Sequence, residues 1–573
     1  MHEAGSDNAT AVIGVPGTGR ALASHLRAWA RLVALDRRWP LLLPLLAYAA
    51  LRLWLLDATK VNSDEPQHLH IVWAWAQRAL VPYRDVFDNH VPLFHMLLAP
   101  WLRWLGETAD VLVWARVLML PLAVGSVAIS AWLGWRLWGR TVARGAVLLL
   151  AAVSSYALVA GEFRTDALWG AAWVAGVAVL ATGTLAPRRM LVAGLLFGVA
   201  LMTSLKTLPL LAALAGAASV VGWEWPRALR PSRQALLRAV LACVAGMALP
   251  VLLVLWRVDV RGALPAMIDD AWRFNLAPGL SQPGQWLRLA LLPLVVTYAT
   301  LSLRGRVAAS PEPAPEGRRV FVQAVAWFSF AVMIGAWPLL TRQDLLPLWP
   351  LLAPVLVAWW CARQRGRWLR FAVVGGLAMA LSWTLATHLP WRSRTAEYDD
   401  WLATVLAITH PGEPVMDAKG AAVFRPRPYH PVLETITLAR MREGLLPDHE
   451  AAALRESQTH VVSIERFSTR ALAFVRANYV ILRPDLWVAG REFVVVHGAR
   501  ARSFALALGG DYALLDSRGH VVTAALLDGL YMGTGVALFP GEHSLEIPAA
   551  GRYRLLWRPA ADWCQHHPGQ CHA

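Results

Sequence analysis

The sequence predicts a polytopic α-helical membrane protein followed by a C-terminal soluble domain, α/β in its first part and β-sandwich-like in its last. Three observations predict it. Of 573 residues, 57% are hydrophobic, 30 are Trp and only 16% are charged, which is too apolar for a soluble chain of this size. The apolar residues come in long blocks instead of amphipathic periods. Beyond Leu389 the blocks stop, and no later run is long enough to cross a bilayer.

A hydrocarbon core about 30 Å thick takes roughly 20 helical residues to cross. By that measure about eleven spans are expected, at roughly 39–57, 111–138, 142–161, 165–185, 190–205, 207–223, 235–256, 286–303, 320–340, 344–361 and 370–389. Residues 1–38 contain no apolar core followed by a cleavage signal and read as a cytoplasmic lead-in. With that end inside, the basic clusters Arg140 and Arg144, Arg188 and Arg189, 227–238, 304–319 and 363–370 all fall on the cytoplasmic side. The formal charge of +16 is therefore topology and not a nucleic-acid surface. The agreement requires 92–106, which carries Trp101, Arg103 and Trp104, to be a helix lying in the interface. Residues 304–319, with Pro311, Pro313 and Pro315, read as a flexible cytoplasmic linker.

This threading places the protein in a bacterial inner membrane, with residues 39–390 as its membrane domain and 58–110 as the first outer loop. Residues 391–500 alternate helix-like stretches with short β-branched runs and read as a periplasmic α/β region. Residues 501–573 show strand-like runs between Gly-Gly-Asp, Ser-Arg-Gly, Pro-Gly-Glu and Ala-Gly turns, as in a β-sandwich and tail. Cys564 and Cys571 lie near the end of that region and are expected to form a local disulfide, with metal binding as the other option.

The outer face gathers charges from separate places in the chain: Asp64 and Glu65, Asp88, Glu162, Arg164 and Asp166, Lys206, Arg342 and Asp344. Charged groups at helix ends near a membrane are costly unless hydrated or paired, so their convergence predicts a polar cavity there. Taken singly, each also fits plain interface anchoring. The run Asn62-Ser63-Asp64-Glu65 opens a segment in which Leu69, Val72, Trp73, Ala76 and Leu80 recur at helical spacing. It reads as an amphipathic helix lying on the membrane, with Ser63 or Asp64 as a possible N-cap. A second acidic element around Asp88, Asn89 and His90 follows it.

At these residues the chain resembles the GT-C superfamily of glycosyltransferases, in particular the bacterial branch of aminoarabinose transferases and relatives of protein O-mannosyltransferases. The carriers are the Asp-Glu pair 64–65, the Phe-Asp-Asn-His-Val-Pro-Leu run 87–93, Arg-Thr-Asp-Ala at 164–167, Lys206 in Ser-Leu-Lys-Thr, and Gln-Asp-Leu-Leu-Pro-Leu-Trp-Pro at 343–350. The resemblance implies transfer of a sugar from a polyprenyl-phosphate carrier to an envelope acceptor, lipid, glycan or protein hydroxyl, at the outer face. Membrane lipids and the carrier would be its partners; nucleic acid would not. Two departures stand out. Where the aminoarabinose branch has a basic residue after the acidic pair and a lysine before Pro-Pro, this chain has Gln67 or His68 and Asn89 or His90. That alters the donor-phosphate side.

Such a reaction needs a base for the acceptor hydroxyl and positive charge for the departing phosphate. Asp64 is the expected base with Asp88 as the alternative, and Glu65 supports it. Lys206 and Arg164 are the expected phosphate ligands, joined by Arg342 if that residue is not merely an anchor. Asp166 is expected to pair with Arg164, and His68, Asn89 and His90 to support the site. No cofactor is expected; a divalent metal on the histidines and carboxylates is the minor option. A transporter or flippase is the alternative class, but it predicts charges deep within spans and inverted symmetry, which the sequence does not display.

Overall fold

The computed structural model describes residues 39–224, 230–275, 313–337, 340–363, 367–389, 391–496 and 501–571, with a few positions between 287 and 297. The expected lead-in 1–38 and nearly all of the expected span 286–303 lie outside the described residues.

The membrane half is a bundle of apolar helices: α1 (Trp39–Trp54), α2 (Asp64–Ala76), α3 (Leu93–Leu105), α4 (Val111–Trp138), α5 (Arg140–Ala152), α6 (Thr165–Ala181), α7 (Pro187–Thr203), α8 (Thr207–Glu224), α9 (Arg233–Asp259), α10 (Pro313–Ala336), α11 (Trp349–Arg363) and α12 (Arg367–His388). Among the described residues, α4, α9 and α10 are long and apolar enough to cross a membrane, and α5 with the turn after it makes a fourth crossing if that 77° bend is one broken span. α1, α6, α8 and α11 are shorter apolar helices. Residues 313–319 are not a flexible linker but the opening of α10. Pro313 and Pro315 fit there because the first-turn N–H groups have no intrahelical acceptor to lose.

Small residues set the tightest helix contact. A Cβ on Gly194 would stand 1.9 Å from the Cys243 carbonyl oxygen, and one on Gly246 would stand 2.1 Å from that of Leu191. The backbones of α7 and α9 therefore touch, which is how apolar helices gain contact where water supplies no drive.

α2 differs from the expected surface helix. It ends at Ala76, and every residue after Asp64 is buried. Its polar positions are covered by the C-terminal domain: His70 Nδ1 lies 2.8 Å from the Val423 carbonyl oxygen. One continuous core runs from Leu69, Val72 and Phe94 into Leu402, Val488 and Leu555 of that domain. α3 keeps one face buried through Phe94, His95, Ala99 and Leu102, while Leu97 and Trp104 are exposed. Its Arg103 donates to the Ala76 carbonyl oxygen at 3.0 Å, satisfying the C-terminal end of α2.

The C-terminal domain opens with α13 (Ala396–Ile408) and holds a seven-stranded sheet of order β1-β2-β4-β11-β6-β9, with β3 also on β4. Its strands are β1 (Val415–Met416), β2 (Val461–Val462), β3 (Tyr479–Arg483), β4 (Leu486–Val495), β6 (Gly510–Asp516), β9 (Val536–Leu538) and β11 (Gly551–Trp557). A four-stranded sheet of β5 (Arg502–Leu506), β10 (Gly541–Glu546), β7 (Leu526–Leu527) and β8 (Leu530–Tyr531), in that order, packs beside it, with Phe504 of β5 edge-on to Phe493 of β4 at 5.3 Å. β4 pairs with β2 and β3 through its first half and with β11 from Gly490 onward. The α/β and β-rich regions thus share a sheet. Cys564 and Cys571 are joined in a disulfide, with Cα atoms 5.3 Å apart.

Candidate active site

The head of α2 is capped by neither Ser63 nor Asp64. Asn62 Oδ1 accepts from the Asp64 amide at 3.1 Å, and Glu65 reaches back to the Asn62 amide at 3.1 Å. This reciprocal box releases the Asp64 side chain from capping. Glu65 is fully buried and saturated: Arg116 of α4 donates to its two oxygens at 2.8 and 2.6 Å, and the Phe163 amide donates at 2.9 Å. It ties α2, α4 and the loop before α6 together.

Asp64 accepts from Arg164 on one oxygen and from Lys419 on the other, the latter at 2.5 Å. Burial alone would raise its pKa, but the two cations hold it well below the usual carboxylate range. The contacts continue in both directions. Arg164 Nε reaches Asp166 at 3.1 Å; Lys206 Nζ sits 3.3 Å from Asp166 and 2.5 Å from Asp344. On the other side Lys419 lies 3.9 Å from Glu434, which accepts from Asn89 at 2.8 Å. Anions and cations therefore alternate along Glu434, Lys419, Asp64, Arg164, Asp166, Lys206 and Asp344. Each neutralises its neighbours in a poorly hydrated place, where an unpaired charge would be costly.

Local structure explains the placement. Arg164 is in extended conformation immediately before α6, so Asp166 falls in that helix's first turn, where a negative charge is favoured. Lys206 occupies the turn between α7 and α8. Asp344 sits in a single 3₁₀ turn, accepting from the Thr341 amide at 2.6 Å. Arg342, two residues earlier, is exposed. Burial would lower the Lys206 pKa, yet Asp166 and Asp344 raise it above its ordinary value.

Asp88 is brought close but not to the surface. Its side chain is 0% exposed, against 29% for His90 and 29% for Asp64. Asp88 Oδ1 accepts from the His90 amide at 2.8 Å and lies 3.1 Å from His90 Nδ1, while Oδ2 lies 3.2 Å from His95 Nδ1. His95 Nε2 is in turn 3.0 Å from His68 Nδ1. Tyr83, at φ 69°, bonds the His90 carbonyl at 2.7 Å and fixes this turn. Glu162 accepts from Asn62 at 2.9 Å; burial first, then the Glu65 charge, push its pKa up to about 7.

The arrangement can hold an ionised carboxylate beside cations at a partly open face. Against solved structures, the chain aligns with ArnT from Cupriavidus metallidurans in the apo state at TM-score 0.54 and 15% identity, over 78% of this chain and 97% of that one. It aligns equally with ArnT from Cupriavidus metallidurans bound to undecaprenyl phosphate, at TM-score 0.53 and 14% identity, over 79% and 98%. The chain has the ArnT fold. It is the fold expected from the motifs at 64–65, 87–93, 164–167, 206 and 343–350. The archaeal oligosaccharyltransferase AglB from Archaeoglobus fulgidus aligns at TM-score 0.41 and 12% identity, over 75% of this chain and 70% of that one. No protein-family model and no curated protein matches the sequence.

On this ArnT-fold scaffold sequence reading missed Arg116, the partner of Glu65, Glu434 at the end of the charge ladder, and above all Lys419. It belongs to the C-terminal domain, in the Asp417-Ala-Lys-Gly turn that follows β1. A charged turn with a glycine at a strand end was the available signal, but nothing local says that it folds back onto α2. Among the described residues no group of three or more His, Cys, Asp and Glu side chains is arranged to hold a metal ion.

Proposed function

We propose that the protein is an inner-membrane glycosyltransferase that moves a hexosyl or pentosyl group from a polyprenyl-phosphate carrier to an envelope hydroxyl, with inversion, at the periplasmic face. The proposal includes about eleven spans with the N-terminus inside, as the basic loops require. The carrying observation is Asp64: its side chain is 29% exposed, while Glu434, Glu162, Asp166, Asp344 and Asp88 are 16, 10, 2, 1 and 0% exposed. It is the acid that an acceptor can reach, in a fold shared with a protein that binds undecaprenyl phosphate.

In this reading Asp64 takes the proton of the acceptor hydroxyl as the new glycosidic bond forms. The bond between the anomeric carbon and the phosphate oxygen breaks, and the carrier leaves as a lipid phosphate. Lys206 and Arg164 receive that charge, with Arg342 at the exposed rim. Phosphate entering here competes with Asp166 and Asp344 for Lys206. Asp88 serves through His90, and Glu65 holds the frame. Mass spectrometry of envelope lipids and glycans from cells carrying wild type or Asp64→Asn tests it. The variant is expected to fold and to lose about 10²–10⁴-fold in transfer; full transfer would refute the assignment.

A further inference from the structure

Three helices meet where α2 finishes: Trp75 of α2, Ala99 of α3, and Val254 and Val258 of α9 share one apolar cluster. Three arginines rim it. Arg103 of α3 donates to the Ala76 carbonyl oxygen at 3.2 and 3.0 Å. Arg261, just beyond α9, donates to the Leu80 carbonyl oxygen at 3.3 Å, and its guanidinium lies 5.6 Å from the centre of the Trp75 ring. Arg257 stands in the last turn of α9.

The charges that act on Arg261 are Arg257 and Arg103, both of its own sign; burial first, and then these two, lower its pKa. Asp259 lies between two of the arginines in sequence and is not among those charges. Among the described residues, none of the three arginines has a carboxylate at ion-pair distance. Capping of α2 accounts for one cation and not for three. The C-terminal end of a helix carries roughly half a negative charge, so about two and a half positive charges are left over. A patch of one sign gathers counter-ions.

Its surroundings select the anion. Trp104, Trp256 and Val260, each a neighbour in sequence of one of these arginines, are 82, 61 and 62% exposed, and α9 is long and apolar enough to cross a membrane. Large apolar groups beside cations at the end of such a helix belong at headgroup level, where the apolar groups enter the acyl chains and the arginines reach phosphate. The patch is also separate from the transfer site. Asp64 and Ala76 are the two ends of α2, about 18 Å apart along its axis.

We propose that Arg103, Arg257 and Arg261 form a headgroup site for an anionic phospholipid, whose phosphate neutralises the three guanidiniums while its chains lie against Trp104 and Trp256. Because Arg103 and Arg261 also hold the carbonyls at the end of α2, the bound lipid steadies the helix that carries Asp64. The site does not depend on the chemistry assigned to Asp64.

Native mass spectrometry of the full-length protein, released from nanodiscs of phosphatidylglycerol and phosphatidylcholine in equal parts, tests it. Wild type is expected to retain phosphatidylglycerol in preference. Arg257→Gln, which leaves both α2 carbonyl contacts in place, should retain about fivefold less of it, and Arg257→Gln/Arg261→Gln about 25-fold less. Arg257→Lys should keep most of the preference. Arg84→Gln, which removes an exposed arginine paired with Asp85, should keep all of it. Wild type should also melt higher in phosphatidylglycerol discs than in phosphatidylcholine discs, and the gap should narrow in Arg257→Gln. Equal retention of the two lipids by wild type, or an unchanged preference in both glutamine variants of the patch, would overturn the site. Displacement of phosphatidylglycerol by an equal concentration of a short-chain prenyl phosphate would assign the patch to the carrier and overturn the phospholipid.

Discussion

Lys419 Nζ lies 2.5 Å from Asp64 Oδ1, a contact between residues 355 positions apart in the chain. The C-terminal domain therefore supplies one of the two cations on the accessible acid, and is part of the site and not an appendage. Gly420 makes the approach possible. It has φ +96°, and a Cβ there would stand 2.7 Å from His70 Cβ.

Removing that cation leaves Asp64 with Arg164 as its partner and with the same burial. Lys419→Met is expected to move the acid limb of the pH–rate profile of sugar transfer to higher pH, because on the proposed reading Asp64 must be ionised to act and has lost one of the two cations that hold its pKa down. Gly420→Ala should shift it in the same direction and destabilise the protein by about 1–3 kcal/mol through backbone strain. An unmoved limb in Lys419→Met, measured in membranes, would show that the pair does not control Asp64.

Glu65 and Arg116 call for a different outcome. Both are buried, so Glu65→Gln leaves the guanidinium without its counter-charge, which costs about 3–5 kcal/mol. Thermal unfolding in detergent should fall accordingly, and the double variant Glu65→Leu/Arg116→Met should recover part of the loss. A Glu65→Gln protein of wild-type stability that had lost transfer would instead place Glu65 in the chemistry.

The sequence made legible what depends on local pattern. Apolar blocks marked the helices, and the change after Leu389 marked the C-terminal sheet domain. The charges at 64, 164, 166, 206 and 344 were gathered on one face because the arginine loops fixed the threading, and the structure joins them in one ladder. What was not legible is long-range. The polar side of α2 reads as a membrane-surface face until the 417–423 turn is seen to cover it, since hydrophobic period reports burial but not the covering element. For the same reason Lys419 had no signal linking it to Asp64. Likewise the two parts of the C-terminal region looked separable, because pairing of β4 with β11 is a tertiary choice that neither strand's composition encodes.

Glu162 gives a pH-dependent stability. Its pKa is raised to about 7 in the folded chain against an ordinary 4.5, so the folded state binds the extra proton between those values. The stabilisation is complete below pH 4.5, declines as pH rises and is lost through about 7. At about 1.4 kcal/mol per unit this is roughly 3 kcal/mol. Glu162→Gln cannot titrate and keeps an acceptor for Asn62. Its melting temperature relative to wild type should therefore be higher at pH 8 than at pH 5, and a pH-independent difference would mean that Glu162 is ionised throughout.

Asp88 and His90 form the last testable pair. With no exposure of its own, Asp88 can influence an acceptor only through a neighbour, and its Oδ1 faces the Nδ1 of the half-open His90 ring. Burial would raise the Asp88 pKa, but the neighbouring histidines hold it below the carboxylate range. A positioning role predicts non-additivity, because two residues acting as one unit lose little more together than apart. Asp88→Asn alone should reduce transfer about 10–100-fold, consistent with the lower part of the acid–base range. Added to His90→Gln it should reduce transfer little further. Losses that multiply in the double variant would show that Asp88 acts on the reaction independently, and the choice of Asp64 as base would then have to be made again from the pH profiles of the two single variants.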